Sequence, residues 1–212
     1  MIIIPSHPPE NTNVPGRNIY VQIRNFWLSF RPHHLYRVKL MPTEDQSVTT
    51  ISSICTILLR ELRTERGIHQ AQVADWIGKT PSAWTKIESG KSPLQFDTFI
   101  RVCKCFQVWP SVVLATAERY ESVLFQKGWA VLVSELDGNE DALLRLAQEY
   151  WASPGCRNAM ATRFNQPPVL NGPIVYSDGS SVMANVFRFA LDIEFRQLQL
   201  EPTIEARGAA FG

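Results

Sequence analysis

Between Thr80 and Lys91 the chain reads TPSAWTKIESGK, and the residue types in that run suit recognition rather than bond making. Thr80 is placed to cap a helix and Pro81 to begin it, where a missing N–H costs nothing. With Trp84 and Ile87 turned inward, Pro81, Ser82, Thr85, Lys86 and Ser89 project as one exposed stripe. Small hydroxyls and an ammonium present donors and acceptors without bulk, which fits a helix that lies in the major groove of DNA.

A stripe of this kind needs a scaffold, and the surrounding sequence divides into five short helices between Ile54 and Ala117. Ile54, Leu58 and Leu62 fall four apart on the first, and Gly67 supplies the left-handed residue that ends it. The second runs from Gln70 to Ile77 with Val73, Ala74 and Ile77 inward, and Gly78 closes it. The third begins at Pro81 and reaches about Ser89, with Gly90 beyond its end. Phe96, Phe99, Ile100 and Cys103 mark the fourth, and a fifth starts at Ser111 after Trp109 and Pro110. So short a connection between the second and third, Gly78 to Pro81, forces a steep crossing. Two helices of two turns cannot bury their apolar faces on each other alone, so the flanking helices must complete the core.

The stretch LLRELRTERGIHQAQVADWIGKTPSAWTKIESGKSPLQFDTFIRVCKCFQV resembles the helix-turn-helix domain of the phage repressor and Cro family, also called the XRE family. The likeness rests on Leu62, Arg63, Arg66, Gly67, Gln70, Val73, Ala74, Gly78, Ile87, Glu88, Gly90, Lys91, Pro93, Phe99 and Val108. It implies a lambda-repressor-like domain over 54–115 that binds double-stranded DNA, with neither metal nor cofactor. By the same resemblance Thr80, Pro81, Ser82, Thr85 and Lys86 take base-reading positions. Lys86 would donate to guanine O6 or N7, and Thr80 or Pro81 would meet a thymine methyl. Gln70, Ser89 and Lys91 take phosphate-binding positions, which fix register without reading sequence. Arg63 and Glu88 match a structural salt bridge that joins the first helix to the end of the third. Pro81 departs from the polar reader that many members carry there, which shifts weight toward shape readout.

Composition agrees with a nucleic-acid partner once it is divided. The 212 residues are 45% hydrophobic, enough for a core, and carry a net charge of only +1. Residues 1–53 hold 5 lysines and arginines against 3 acids, 54–115 hold 8 against 5, and 116–212 hold 8 against 12. The docking surface alone must be positive. Cys55, Cys103, Cys105 and Cys156 have no zinc-ligand spacing and read as buried, reduced thiols, which points to the cytoplasm. MIIIPSHPPE has no basic stretch and its apolar run stops at Pro5, and no apolar run is long enough for a bilayer, so neither secretion nor membrane insertion is expected.

The acidic half, 116–212, reads as further helices, from Glu118 to about Leu136, from Asn139 to Trp151, and from Ser153 to Phe164 with Ser153 capping and Pro154 first. A loop, NQPPVLNGPIVYSDGSS, precedes a final helix on which Val182, Val186, Phe189, Ile193 and Leu200 form one stripe, either a dimer seam or internal core. Enzymatic readings fail. The only lysine after Lys104 is Lys127, which leaves no serine and lysine pair for self-cleavage, and no histidine follows His69. DGNEDA has Ala142 and Gln148 where a calcium loop needs glycine and glutamate. This half is therefore expected to dimerise, or to bind a protein partner or a small-molecule effector among Trp129, Tyr150, Trp151, Phe187 and Phe189, which are first of all expected core.

Residues 1–50 form an extension that admits several readings: two strands around RPHH, a basic arm carrying Arg17, Arg24, Arg31, Arg37 and Lys39, disorder, or an untranslated segment before a start at Met41. Together these features predict an all-α protein, a five-helix domain followed by a helical C-terminal region, acting as a homodimeric DNA-binding repressor rather than an enzyme. An antitoxin-type autorepressor and a protein-interaction module that ignores DNA are the alternatives.

Overall fold

The structure, a computed structural model, describes residues 46–134, 136, 139–161 and 168–201. The readings of residues 1–45 lie outside the described part. The last residues assigned to the extension do not: Val48–Thr50 is a strand, β1, and Thr49 and Thr50 are buried.

Thr50 is also the N-cap of α1 (Ile51–Glu65), its Oγ1 accepting from the Ser53 amide at 3.0 Å. Ile54, Ile57, Leu58, Leu59 and Leu62 bury one face of this helix, and Gly67 at φ 64° turns the chain away from it. His69 caps α2 (Gln70–Trp76). Its Nδ1 accepts from the Ala71 amide at 3.3 Å, while Gln72 Oε1 accepts from the His69 amide at 2.9 Å. After Gly78, at φ 68°, Thr80 caps α3 (Pro81–Glu88) through the Ala83 amide at 3.2 Å. The next helices are α4 (Phe96–Cys105) and α5 (Pro110–Gln126).

Here the structure departs from the expected succession of helices. The predicted fifth helix and the predicted helix from Glu118 are one element, α5, so the boundary expected at residues 115 and 116 falls inside a helix. Lys127 and Gly128 end α5, and Ala130–Leu132 follows as a strand, β2, rather than more helix. β2 pairs in parallel with β1, Val48 opposite Ala130 and Thr50 opposite Leu132. The all-α expectation is thus corrected by two small sheets. The second, β3 (Ile174–Val175) with β4 (Ser181–Val182), is antiparallel; it sits in the segment read as a loop and takes Val182, read as the first residue of the final helical stripe, into a strand.

Four further helices follow β2 among the described residues. Asp141 caps α6 (Ala142–Ala152), its Oδ1 accepting from the Leu144 amide at 2.9 Å and from Thr49 Oγ1 at 2.9 Å, which ties α6 to β1. Ser153 Oγ accepts from the Cys156 amide at 3.1 Å and begins α7 (Pro154–Ala161). The predicted final helix is two, α8 (Asn185–Leu191) and α9 (Ile193–Leu200). They are broken at Asp192, whose backbone is extended (φ −120°, ψ 106°) and whose Oδ1 accepts from the Phe195 amide at 2.9 Å. The break divides the predicted apolar stripe: Val186 and Phe189 are fully buried, whereas Ile193 is 66% exposed.

One core runs through all of this, from Ile54 and Leu58 through Trp84, Phe99, Val113 and Leu124 to Leu143, Tyr150, Phe187 and Phe189. Tyr120 stacks on Phe187 with ring centroids 3.7 Å apart and accepts from the Ala184 amide at 3.0 Å. Trp129, Tyr150, Phe187 and Phe189 are core side chains, and Trp151 is pinned. Its Nε1 donates to Glu61 Oε1 at 2.6 Å, and the Arg60 guanidinium lies 3.6 Å from its ring centre.

Candidate nucleic-acid interface

The orientation of α3 is set from beneath. Trp84 and Ile87 are buried, and so is Glu88, at 1% exposure. A carboxylate that deep needs full compensation. Arg63 of α1 supplies it, with Nε donating to Oε1 at 2.5 Å and Nη2 to Oε2 at 3.2 Å; its Nη1 donates to the Ile68 carbonyl at 2.8 Å. Gln70 Nε2 donates to the same Glu88 Oε2. One ionic and amide network therefore joins α1, α2 and α3. The Gln70 side chain, assigned to a phosphate by the sequence, is turned into that network.

The opposite face of α3 is open. Thr80, Pro81, Ser82, Thr85 and Lys86 are all exposed. Two of their hydroxyls are engaged within the helix: Thr80 Oγ1 in its cap and Thr85 Oγ1 in donation to the Pro81 carbonyl at 2.9 Å. The Ser82 and Lys86 side chains bond to nothing among the described residues, so their donors, with the Thr80 O–H that its cap leaves unused, are available to an external array. A shallow groove of 490 Å³ runs alongside, between α3 and the segment leading into α4, and adds Lys79, Ser92 and Gln95. The sequence reading missed these three. Lys79 was visible as a cation in the turn, and Gln95 is the N-cap of α4 with no capping bond of its own.

The turn after α3 is held from the C-terminal half. Ser89 donates its hydroxyl to the Lys86 carbonyl at 3.2 Å, and its own carbonyl accepts from Gln148 Nε2 at 2.5 Å. Gly90, at φ 72°, leaves room that Leu144 occupies: a Cβ there would collide with Leu144 Cδ2. Lys91 is exposed and free of ion pairs among the described residues. No signal in the stripe itself pointed to Gln148 or Leu144, because both are 50 and more residues away in sequence.

Burial raises the Cys55 and Cys103 thiols to about 12, which keeps them neutral. Among the described residues no three histidines, cysteines or acids are grouped to hold a metal ion. No single described helix is long and apolar enough to cross a membrane.

Five helices, a glycine-closed turn and a third helix with one locked and one open face are the geometry of a helix-turn-helix domain. A family model described as a helix-turn-helix domain matches residues 56–116, from within α1 to within α5, and so supports a DNA-binding helix-turn-helix regulator. Comparison with curated proteins and with solved structures gives no match.

Proposed function

We propose that the protein is a sequence-specific transcriptional regulator of the phage repressor and Cro type, which inserts α3 into the major groove and represses by occupying a promoter. The observation that carries this reading is the asymmetry of α3. Its inner face is fixed by Glu88, while Ser82 and Lys86 stand exposed with their hydrogen-bonding groups unspent. Lys79 and Lys91 flank the helix as cations for the phosphate backbone. As a homodimer the protein would read two half-sites about 34 Å apart. Selection of bound duplexes from a random DNA pool by the full chain tests it. A two-fold motif should be enriched, and a folded chain that enriches nothing would remove the reading.

A second reading, an autorepressor whose C-terminal half holds a protein partner, draws support from α9, where Ile193, Leu198 and Leu200 are 66, 64 and 40% exposed. Co-purification of a small protein, released by Leu198→Glu, would favour it.

A further inference from the structure

The turn that leaves α3 is held by α6, whose residues lie outside the matched segment 56–116. The end of α3 is partly satisfied from within: the Gly90 amide donates to the Ile87 carbonyl at 2.9 Å and the Ser92 amide to the Lys86 carbonyl at 3.1 Å. The Ser89 carbonyl finds its partner in α6. Gln148 Nε2 donates to it at 2.5 Å, across 59 positions of sequence. One turn earlier on α6, Leu144 fills the space where a Gly90 side chain would stand.

These two contacts converge on the residue of the turn that most needs holding. Gly90 sits at φ 72°, and a glycine adopts several other backbone conformations as readily as that one. Beyond it Lys91 is open. Its side chain is exposed, and neither its amide nor its ammonium bonds to anything among the described residues. Two donors on one residue suit a single phosphate, but a change in the Gly90 torsions would swing both away together. Gln148 is itself exposed, and without it water could serve the Ser89 carbonyl, so the bond adds little to folding and acts on position.

We propose that Gln148 is a positioning residue for DNA binding: by holding the Ser89 carbonyl it fixes the Ser89–Gly90 peptide and keeps the amide and ammonium of Lys91 aimed at one backbone phosphate. This rests on the DNA-binding reading and adds to it a determinant from the C-terminal half.

Gln148→Met keeps the length of the side chain and lacks the donor. Titrated as the full chain on the duplex selected from the random pool, it should raise the Kd about three- to tenfold, the worth of one hydrogen bond. The same factor is expected on a random duplex, because a phosphate carries no sequence, and the melting temperature should not change. In a Lys91→Ala chain the substitution should alter the Kd by less than about twofold, since the group it positions is gone. A native Kd for Gln148→Met overturns the proposal, and so does an undiminished further loss in the Lys91→Ala chain. Amide exchange, measured without DNA, reads the turn directly: the Gly90 amide should exchange faster in Gln148→Met while the amides of α4 keep their native rates. An unchanged Gly90 rate overturns the proposal whether or not DNA binds. A native chain that binds no duplex removes the DNA reading and the role of Gln148 within it, whereas native and Gln148→Met chains that bind DNA equally remove the positioning role alone.

Discussion

Leu144 of α6 occupies the space where Gly90 would carry a side chain, its Cδ2 lying where the added Cβ would have to stand. A residue of the C-terminal half thus shapes the turn that leaves α3. Gly90→Ala meets two costs: the left-handed backbone, at about 1–2 kcal/mol for a residue with a Cβ, and displacement of Leu144. Leu144→Ala alone should cost about 2–5 kcal/mol through the cavity it leaves. In urea unfolding the double variant should cost less than the sum of the two, since the smaller side chain makes room for the new methyl.

Glu88→Ala would leave the Arg63 guanidinium in a mostly buried place without its carboxylate and would free Gln70. A loss of about 3–5 kcal/mol is expected, the usual result of removing one partner from a buried pair. Glu88→Gln keeps the shape and a hydrogen bond to Arg63, so its loss should be smaller. Chemical denaturation of the three proteins checks the order.

Lys86 and Lys91 should separate by the kind of loss they cause. Lys86→Ala should change preference at one or two base pairs by about 1–3 kcal/mol, whereas Lys91→Ala should weaken all duplexes alike and reduce the salt slope by about one unit. Equal losses for Lys86→Ala on the selected site and on random DNA would remove its reading role.

Alkaline pH should destabilise the fold. Cys55 and Cys103 are raised from 9.0 to about 12 in the folded chain, chiefly by burial. Their contribution is whole below pH 9, where both states hold the proton. It declines from there toward pH 12, because the unfolded thiols ionise while the folded ones cannot. Tyr120 and Tyr150 are also shifted upward by burial and act in the same direction. Urea midpoints measured between pH 8 and pH 11 should fall, and fall less in a Cys55→Ala, Cys103→Ala chain. An identical decline in both chains would show that the thiols contribute nothing.

The parts of the site that were legible in the sequence are local. Thr80 before Pro81 announces the start of α3, and Gly67, Gly78 and Gly90 stand where the backbone is left-handed, at φ 64, 68 and 72°. The i, i+3 spacing of Trp84 and Ile87 fixes which face is buried, and so which residues are exposed. The inward turn of Gln70 was not legible, because an amide at that position serves a phosphate or a buried carboxylate equally well. The choice depends on where Glu88 comes to rest.

Beyond the helix-turn-helix residues the same distinction holds. β1 and β2 are three residues each and take their ladder from a partner about 80 positions away, so neither carries a periodicity of its own. The break at Asp192 interrupts an apolar spacing that suits a continuous helix. It is decided by the packing of Phe187 and Phe189 into the core and by the Asp192 cap on α9. Short-range features, namely where α1 to α3 end and which face of α3 is apolar, could be read from the residues because they depend on spacings of a few positions. That α6 lies behind α3, with Gln148 on Ser89 and Leu144 on Gly90, came with the fold, because contacts between residues more than 50 positions apart exist only once the chain has closed around its core.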